Sequence, residues 1–196
     1  MITGAARRIG AAIATAFGAA GWHVVLHYGT SAREAEMLAA TLPSAETVHC
    51  DLADSDASAM LVTALAARLD DWRVLVNSAA IFRPDDVIGL DPKVFERSMA
   101  INARTPIRMT QAFLRSARAR GGRRVIQLTD QKLVNPNPDF FSYTLSKHAA
   151  AGAVPMLAMG AAWPEDRVYA LAPGAILASH DQREDEIEVS HRLNLM

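Results

Sequence analysis

The chain has 196 residues, of which 51% are hydrophobic and 21% charged, and its formal net charge at pH 7 is -1. This composition is typical of a globular domain with a core, and it excludes disordered and collagen-like chains. The balanced charge gives no overall field that would attract nucleic acid or an anionic membrane, so the expected partner is a small molecule. The single cysteine, Cys50, cannot form an internal disulfide. No charged and apolar leader pattern opens the sequence, so we expect a cytoplasmic location.

Short apolar runs that favour strands alternate with alanine-rich runs that favour helices. The predicted strands lie at residues 22–27, 47–49, 73–76, 125–128 and 168–171. Short continuous apolar strands are typical of a parallel sheet that helices cover on both faces. The sequence therefore predicts one α/β domain over residues 1–196, a Rossmann-type doubly wound parallel sheet. The nearly uncharged runs 9–26 and 148–163 are interpreted as segments that pack within this fold rather than as membrane spans.

The two ends of the sequence depart from this pattern. Only Met1 and Ile2 precede the first turn, whereas a central strand usually needs about five residues. The chain also stops soon after the last predicted strand, so we expect a domain shortened at both termini. The acidic run 181–188 is predicted to be a mobile loop or an exposed helix.

A turn with two glycines, Gly4 and Gly10, connects the first predicted strand to the first helix. Glycine at such a turn lets backbone N–H groups approach a pyrophosphate, which then lies at the positive end of the helix. The pattern favours a dinucleotide site, and the alternative is that both glycines serve packing alone.

The next strand ends at His27 and Tyr28, and the hydroxyls of Thr30 and Ser31 and the guanidinium of Arg33 follow it. A site that prefers NAD usually carries an acid here, for the ribose 2′-hydroxyl. Its absence, together with these donors, favours NADPH over NADH. The alternative is that they are ordinary loop and N-cap residues.

Tyr143 and Lys147 are four residues apart, so they share one face of a predicted helix. An ammonium beside a phenol favours the phenolate, and we therefore expect Lys147 to lower the pKa of Tyr143 toward the range of a general acid. The alternative is a solvated face of an exposed helix.

The order of these features resembles the short-chain dehydrogenase/reductase family over nearly the whole chain. Within that family the sequence is similar to the pteridine reductases and dihydromonapterin reductases on three grounds. Arg8 takes the place of the usual middle glycine, Asp130 stands where most members have a catalytic serine, and Phe82 matches an aromatic that stacks on the pterin. Ser78 and Ala80 depart from the subgroup pattern, where asparagine and serine are usual.

The resemblance implies roles for particular residues. Tyr143, Lys147, Asp130 and Asn102 would be catalytic, with Lys147 on the nicotinamide ribose and Asn102 in a proton relay. Phe82, Asp130 and Tyr143 would contact the substrate, and no metal is expected. The implied cofactor-binding residues are Gly4, Arg8, Ile9, Gly10, His27, Tyr28, Ser31, Asp51, Leu52, Asn77, Ala79, Lys147, Pro173 and Gly174.

The function predicted from these features is NADPH-dependent hydride transfer to a pterin-like C=N bond, with a tyrosine as proton donor. The alternatives are a carbonyl or 3-oxoacyl reductase of the same family and a nucleotide-binding protein without catalysis. The family also implies a homo-oligomer, either a dimer or a tetramer. The five arginines between positions 115 and 124 suggest nucleic acid, but we expect them to be solvated cations at a helix C-terminus. They are Arg115, Arg118, Arg120, Arg123 and Arg124.

Overall fold

Helices and strands alternate along the chain, and each of the five predicted strands is present, with limits moved by at most two residues. The structure, a computed structural model, describes residues 1–136 and 138–174, so the acidic run 181–188 lies outside the described residues. The strands are β1 (Val24–Tyr28), β2 (Ala45–His49), β3 (Val74–Asn77), β4 (Arg124–Leu128) and β5 (Arg167–Leu171). The helices are α1 (Arg8–Ala19), α2 (Ala32–Thr41), α3 (Ser55–Arg68), α4 (Pro92–Met99), α5 (Thr105–Ser116) and α6 (Phe141–Met159).

The strands form a parallel sheet whose centre is the first few residues of the chain. β1 pairs with β2, and β3, β4 and β5 pair in that order, always in parallel. Ile2 bridges Leu26 of β1 and Val76 of β3. The order is therefore β2, β1, the Ile2 segment, β3, β4, β5. This is the predicted doubly wound topology, with the Ile2 segment between its two halves.

Apolar side chains leave the sheet on both faces and build two hydrophobic clusters. Val25 and Leu75 point into the cluster that contains Phe113 of α5, whereas Leu26 and Val76 point into the cluster that contains Ala14 of α1. Successive strand residues face opposite sides, so neighbours in sequence enter different clusters. Burial on both faces explains the continuous apolar runs in the sequence.

Among the described helices, α1, α2, α5 and α6 begin without a side-chain capping bond, and α1 and α6 start next to the candidate site. Asp54 and Asp91 accept hydrogen bonds from backbone N–H groups at the starts of α3 and α4, which is the usual way to satisfy these donors. The N-cap residues of α1 and α6, Arg7 and Phe140, make no such bond. The first N–H groups of α1 and α6 therefore need acceptors from elsewhere.

One member of the arginine cluster does not behave as predicted. Arg123 is buried, and its guanidinium forms a salt bridge at 2.5 Å with the buried carboxylate of Asp166. The expectation that the whole cluster is solvated was wrong for this residue, because its partner lies more than forty positions away and is invisible in the local sequence. No helix within the described residues is long and apolar enough to cross a membrane.

Candidate active site

The predicted site residues follow the carboxyl ends of the strands. The glycine-containing turn follows Ile2, Asp51 follows β2, Asn77 ends β3 and Asp130 follows β4. On either side of the Ile2 segment the chain turns to opposite halves of the sheet, which leaves a crevice at that point. The residues therefore meet at one edge, where a doubly wound sheet binds its ligands.

The glycine-containing turn is packed too closely for side chains. Gly4 has φ +61°, and a Cβ there would lie 2.9 Å from the Cα of Ala79. A Cβ on Gly10 would lie 2.2 Å from the carbonyl oxygen of Gly4. Only glycine allows the turn, the start of α1 and the Ala79 loop to approach this closely.

Two buried side chains hold this turn in place. The Thr3 hydroxyl accepts hydrogen bonds from the N–H groups of Ser78 and Ala79 at 2.9 and 3.0 Å. The His27 ring, 1% exposed, lies between the Gly4 N–H, 3.3 Å from its Nδ1, and the Cys50 carbonyl, 3.0 Å from its Nε2. A carbonyl only accepts, so Nε2 carries the hydrogen and Nδ1 is the acceptor for Gly4. His27 supports the turn from within the fold.

The first turn of α1 suits an anion. It contains no acidic residue, and helix N-termini carry N–H groups and a partial positive charge that stabilise phosphates. Arg8 begins this helix with φ +50°, a backbone region that usually favours glycine. Non-glycine residues in such conformations tend to cluster at functional sites. The guanidinium of Arg8 also acts electrostatically on Tyr143, so the two ends of the site are near one another.

The residues predicted for the adenosine end lie at the ends of β1 and β2, which are neighbours in the sheet. Tyr28 and His49 place their rings 5.4 Å apart. Asp51 accepts a hydrogen bond from the Ala53 N–H at 2.9 Å, which fixes its carboxylate at the turn into α3. Leu52 is buried, and Ser31 begins α2 without a capping bond from its side chain.

A carboxyl, a phenol and an amine meet beside β4. The Tyr143 hydroxyl donates to Asp130 Oδ2 at 2.5 Å, while Asp130 Oδ1 accepts from the Lys132 N–H at 2.9 Å. The Lys147 ammonium donates to the Leu128 carbonyl at 2.8 Å and lies 5.5 Å from the centre of the Tyr143 ring. The three side chains thus occupy one small volume, as the sequence predicts.

The expected effect of Lys147 on the phenol is wrong in this structure. The pKa of Tyr143 is raised above its ordinary value, first because burial penalises the phenolate and then because the Asp130 carboxylate lies against it. Lys147 is directed to a backbone carbonyl instead of the hydroxyl, and burial lowers its own pKa to about 8. The sequence shows the spacing of Tyr143 and Lys147, but it does not show that the carboxylate comes closer.

Asn102 connects the loop after β3 to α6. It lies in a π-helical turn, Ala100–Arg104, between α4 and α5. Its side chain accepts from the Ile81 N–H at 2.8 Å and donates to the Ile81 carbonyl and to Ser146 Oγ, both at 3.0 Å. The residue therefore fixes the helix next to Lys147 and the loop next to Phe82.

Phe82 presents an open aromatic surface to the site. Its side chain is 47% exposed, and its ring makes an edge contact with the Tyr143 ring at 4.6 Å. It stacks on Phe140 with a centroid distance of 3.9 Å and an angle of 8°. A flat ring placed against the open face of Phe82 would lie close to the phenol.

The remaining predicted residues lie at the ends of β3 and β5. Asn77 donates to Thr110 Oγ1 at 3.1 Å, whereas its Oδ1 is buried and has no hydrogen-bond partner within the described residues. The Pro173 carbonyl accepts from the Gln131 N–H at 3.1 Å, which keeps this segment, including Gly174, beside the Asp130 loop.

Sequence reasoning missed several residues that build the site. Thr3, Asp85, Phe140, Ser142 and Ser146 form hydrogen bonds or ring contacts with predicted residues or with their immediate neighbours. One signal was available, because Ser142 and Ser146 repeat the four-residue spacing of Tyr143 and Lys147. Within the described residues, no group of three or more His, Cys, Asp or Glu side chains could hold a metal ion.

The sequence matches a family model described as enoyl-(acyl carrier protein) reductase over residues 4–192. It is 33% identical to galactitol 2-dehydrogenase of Agrobacterium fabrum, an alignment that covers 92% of this chain and 71% of that protein. It is 30% identical to pteridine reductase 1 of Leishmania tarentolae, covering 92% of this chain and 77% of the relative.

Solved structures give a similar result. The fold is similar to the FolM alternative dihydrofolate reductase 1 of Brucella canis, a structure complexed with NADP, with TM-score 0.87 and 35% identity. The Brucella suis protein, also in complex with NADP, gives TM-score 0.88 and 35% identity. Each comparison covers 96% of this chain and 76% of the other. The fold predicted from sequence is therefore confirmed.

Proposed function

Since the chain belongs to the short-chain dehydrogenase/reductase family, with pteridine reductase-like relatives, we propose that it is an NADPH-dependent reductase of a pterin-like C=N bond. The observation that carries this proposal is the hydrogen bond between Tyr143 and Asp130. Reduction of C=N needs a hydride on carbon and a proton on nitrogen. A carboxyl group in contact with the phenol can replace the proton that the phenol gives to the substrate.

The glycine-containing turn and α1 fit the pyrophosphate of a dinucleotide. A Cβ on Gly4 or Gly10 would collide with neighbouring backbone, so the turn stays close to the start of α1, and the first turn of α1 contains no acidic residue that would repel phosphate. We propose that the pyrophosphate is held by Gly4, Arg8, Ile9 and Gly10. His27 contributes indirectly, because its buried ring accepts a hydrogen bond from the Gly4 N–H and so fixes the turn.

The other cofactor contacts follow from the order of the strands. Ser31, together with Thr30 and Arg33, would bind the 2′-phosphate, Tyr28 would lie beside the cofactor, and Asp51 and Leu52 would contact the adenine. Asn77, Ala79, Lys147, Pro173 and Gly174 would line the nicotinamide end. Bound there, NADPH supplies the hydride that goes to the carbon of the C=N bond.

The proton route uses the chain's own residues. At neutral pH the phenol keeps its proton, because burial and Asp130 raise its pKa. In the structure the hydroxyl donates to Asp130 and not to a substrate. We infer that transfer to the ring nitrogen requires a proton on Asp130, which donates to Tyr143 Oη and frees the phenolic hydrogen. As that hydrogen leaves, the Asp130 proton moves to Oη, so the phenol is restored and the carboxylate remains.

The exposed aromatic ring of Phe82 favours a flat substrate over an aliphatic one. Its ring is exposed, stacked on Phe140, and in edge contact with Tyr143. Aromatic rings favour offset stacking on such surfaces. A pterin on Phe82 would present its ring nitrogen to the phenol within the same crevice.

A carbonyl reductase is the second candidate, and the 33% identity to galactitol 2-dehydrogenase favours it. The two functions separate when purified protein and NADPH are mixed with dihydrobiopterin or with an acetoacetyl thioester. Loss of NADPH absorbance with dihydrobiopterin supports the proposal, and turnover of the thioester alone overturns it. Binding of NADPH without turnover of either compound would favour a non-catalytic nucleotide-binding protein.

Tyr143→Phe tests the proton donor. We expect turnover to fall roughly 10²-fold or more, the usual contribution of a positioned acid, while NADPH affinity measured by fluorescence stays close to wild type. Tyr169→Phe is the matched control, because it removes a phenolic hydroxyl from an exposed side chain on β5. Equal activity of Tyr143→Phe and Tyr169→Phe would refute the assigned role.

Three further predictions extend this function. We propose that residues 1–196 act as one domain, that the protein works as a homo-oligomer, dimer or tetramer, and that it acts in the cytoplasm. Its ligands are then a dinucleotide and a small-molecule substrate. Size-exclusion chromatography with light scattering measures the oligomeric state, and a monomer at working concentrations would refute that part.

A further inference from the structure

Two buried serines on α6 anchor the loop that follows β3. Ser142 and Ser146 are both 0% exposed and, being four residues apart, share one face of the helix. Ser146 Oγ accepts from Asn102, which also binds both backbone groups of Ile81. The first residues of the loop are thereby tied to α6, one position before Lys147.

The second anchor is Asp85, at the other side of Phe82. Its carboxylate oxygens accept from the Ser142 N–H at 3.1 and 3.2 Å, and the Ser142 hydroxyl donates to the same carboxylate. A negative charge at the start of a helix is stabilising, and Phe140, the N-cap residue of α6, offers no side-chain cap. Asp85 supplies this cap from a loop more than fifty residues away in sequence.

These anchors enclose Phe82 and place it against the proton donor. Ile81 precedes Phe82 and Asp85 follows it by three positions, while Ser142 precedes Tyr143 directly. The stack of Phe82 on Phe140 and its edge contact with Tyr143 lie between the two anchors. The distance between the aromatic surface and the phenol is therefore set by how firmly the loop is held to α6.

We propose that Asp85 is a positioning residue for the flat substrate: it fastens the loop that carries Phe82 to the helix that carries Tyr143. The inference rests on the proposed function and deepens it. Asp85 does not touch the reacting atoms. Loss of the Asp85 carboxylate lets the Phe82 ring move relative to Tyr143. This weakens substrate binding and has a smaller effect on the rate of the chemical step and on NADPH binding.

The test compares Asp85→Ala with Asp85→Asn and Asp91→Ala. Asp91 caps α4 through the Lys93 N–H at 2.9 Å, so Asp91→Ala also removes a helix cap but leaves the Phe82 anchor intact. With dihydrobiopterin we expect Asp85→Ala to raise KM roughly tenfold or more, the scale of a lost hydrogen bond to a charged group. We expect kcat to change less than about threefold, and the affinity for NADPH to stay unchanged. Asp85→Asn keeps one acceptor oxygen and should recover part of the KM.

A second measurement does not depend on activity. Hydrogen exchange followed by mass spectrometry should show faster exchange of the Ser142 amide and of residues 81–86 in Asp85→Ala, and wild-type exchange there in Asp91→Ala. If wild type reduces no pterin, the proposed function fails, and the exchange rates still show whether Asp85 fastens the Phe82 loop to α6. Unchanged exchange at Ser142, or an equal rise of KM in Asp91→Ala, overturns the proposal.

Discussion

The buried imidazole of His27 makes the free energy of unfolding of this protein depend on pH. Substitution of His27 should remove that contribution. Burial lowers its pKa from 6.5 to about 4, helped by the nearby His49 and opposed by the bond to the Cys50 carbonyl. Above pH 6.5 the ring is neutral in both the folded and the unfolded chain. Between these values the unfolded chain binds a proton that the folded chain does not, so the free energy of unfolding falls as pH falls.

The size of this effect follows from the two pKa values. The difference between a folded-state pKa of about 4 and an unfolded-state pKa of 6.5 corresponds to a contribution of about 3 kcal/mol to the free energy of unfolding. This contribution is lost as the pH falls from 6.5 to about 4, and below that pH the free energy of unfolding no longer changes through His27. His27→Gln keeps a donor for the Cys50 carbonyl but cannot titrate. We expect this variant to be less stable than wild type near pH 7 and to lose most of that difference as the pH approaches 4.

Urea unfolding at a series of pH values from about 7 to about 4 measures the difference. Other groups that titrate over this range are common to both proteins, so the difference isolates His27. His148→Gln is the control, because its side chain is exposed on α6 and the His27 bridge is retained; it should follow the wild-type curve. A constant gap between wild type and His27→Gln across the range would refute the reasoning.

Three other substitutions test separate parts of the structure. Gly10→Ala should reduce NADPH affinity and thermal stability together, because its Cβ would lie 2.2 Å from the Gly4 carbonyl; Gly152→Ala, where nothing lies within 4 Å, should leave affinity unchanged, and equal behaviour of the two would contradict the close packing. Both reductions need one proton, but we propose that the Asp130 relay serves the ring nitrogen, so Asp130→Ala should reduce turnover of dihydrobiopterin roughly tenfold more than turnover of a ketone; equal losses would refute this specific role of Asp130. Arg123→Met leaves the Asp166 carboxylate buried and unpaired, so denaturant unfolding should show a loss of about 3 to 5 kcal/mol, and a loss below about 1 kcal/mol would refute the importance of the pair.

The parts of the fold that could be predicted are those whose cause is local. Continuous apolar runs predict buried strands, and the turn with Gly4 and Gly10 predicts a close backbone approach, because both depend on neighbouring residues. The spacing of Tyr143 and Lys147 likewise predicts a shared helix face. These predictions needed no knowledge of what packs against each element.

The features that could not be predicted depend on partners that are distant in sequence. The burial of Arg123 requires Asp166, and the raised pKa of Tyr143 requires both a buried site and a carboxylate closer than Lys147. The sequence around Asp85 does not identify it, because aspartate is common in loops. Its role follows only from its contact with the start of α6. Local patterns identify the chemistry that is present, whereas tertiary contacts decide charge and orientation.

The attachment of the Phe82 loop to α6 has a consequence for protein engineering. Residues 81–85 and 140–146 are distant in the chain, yet they share Asp85–Ser142 hydrogen bonds and the Phe82–Phe140 stack. If the loop alone is transplanted into a related scaffold to change substrate preference, it loses the contacts with residues 140–146 that hold it in place. The two segments form one transferable unit, and recombination that separates them should yield a folded protein with a poorly ordered pocket.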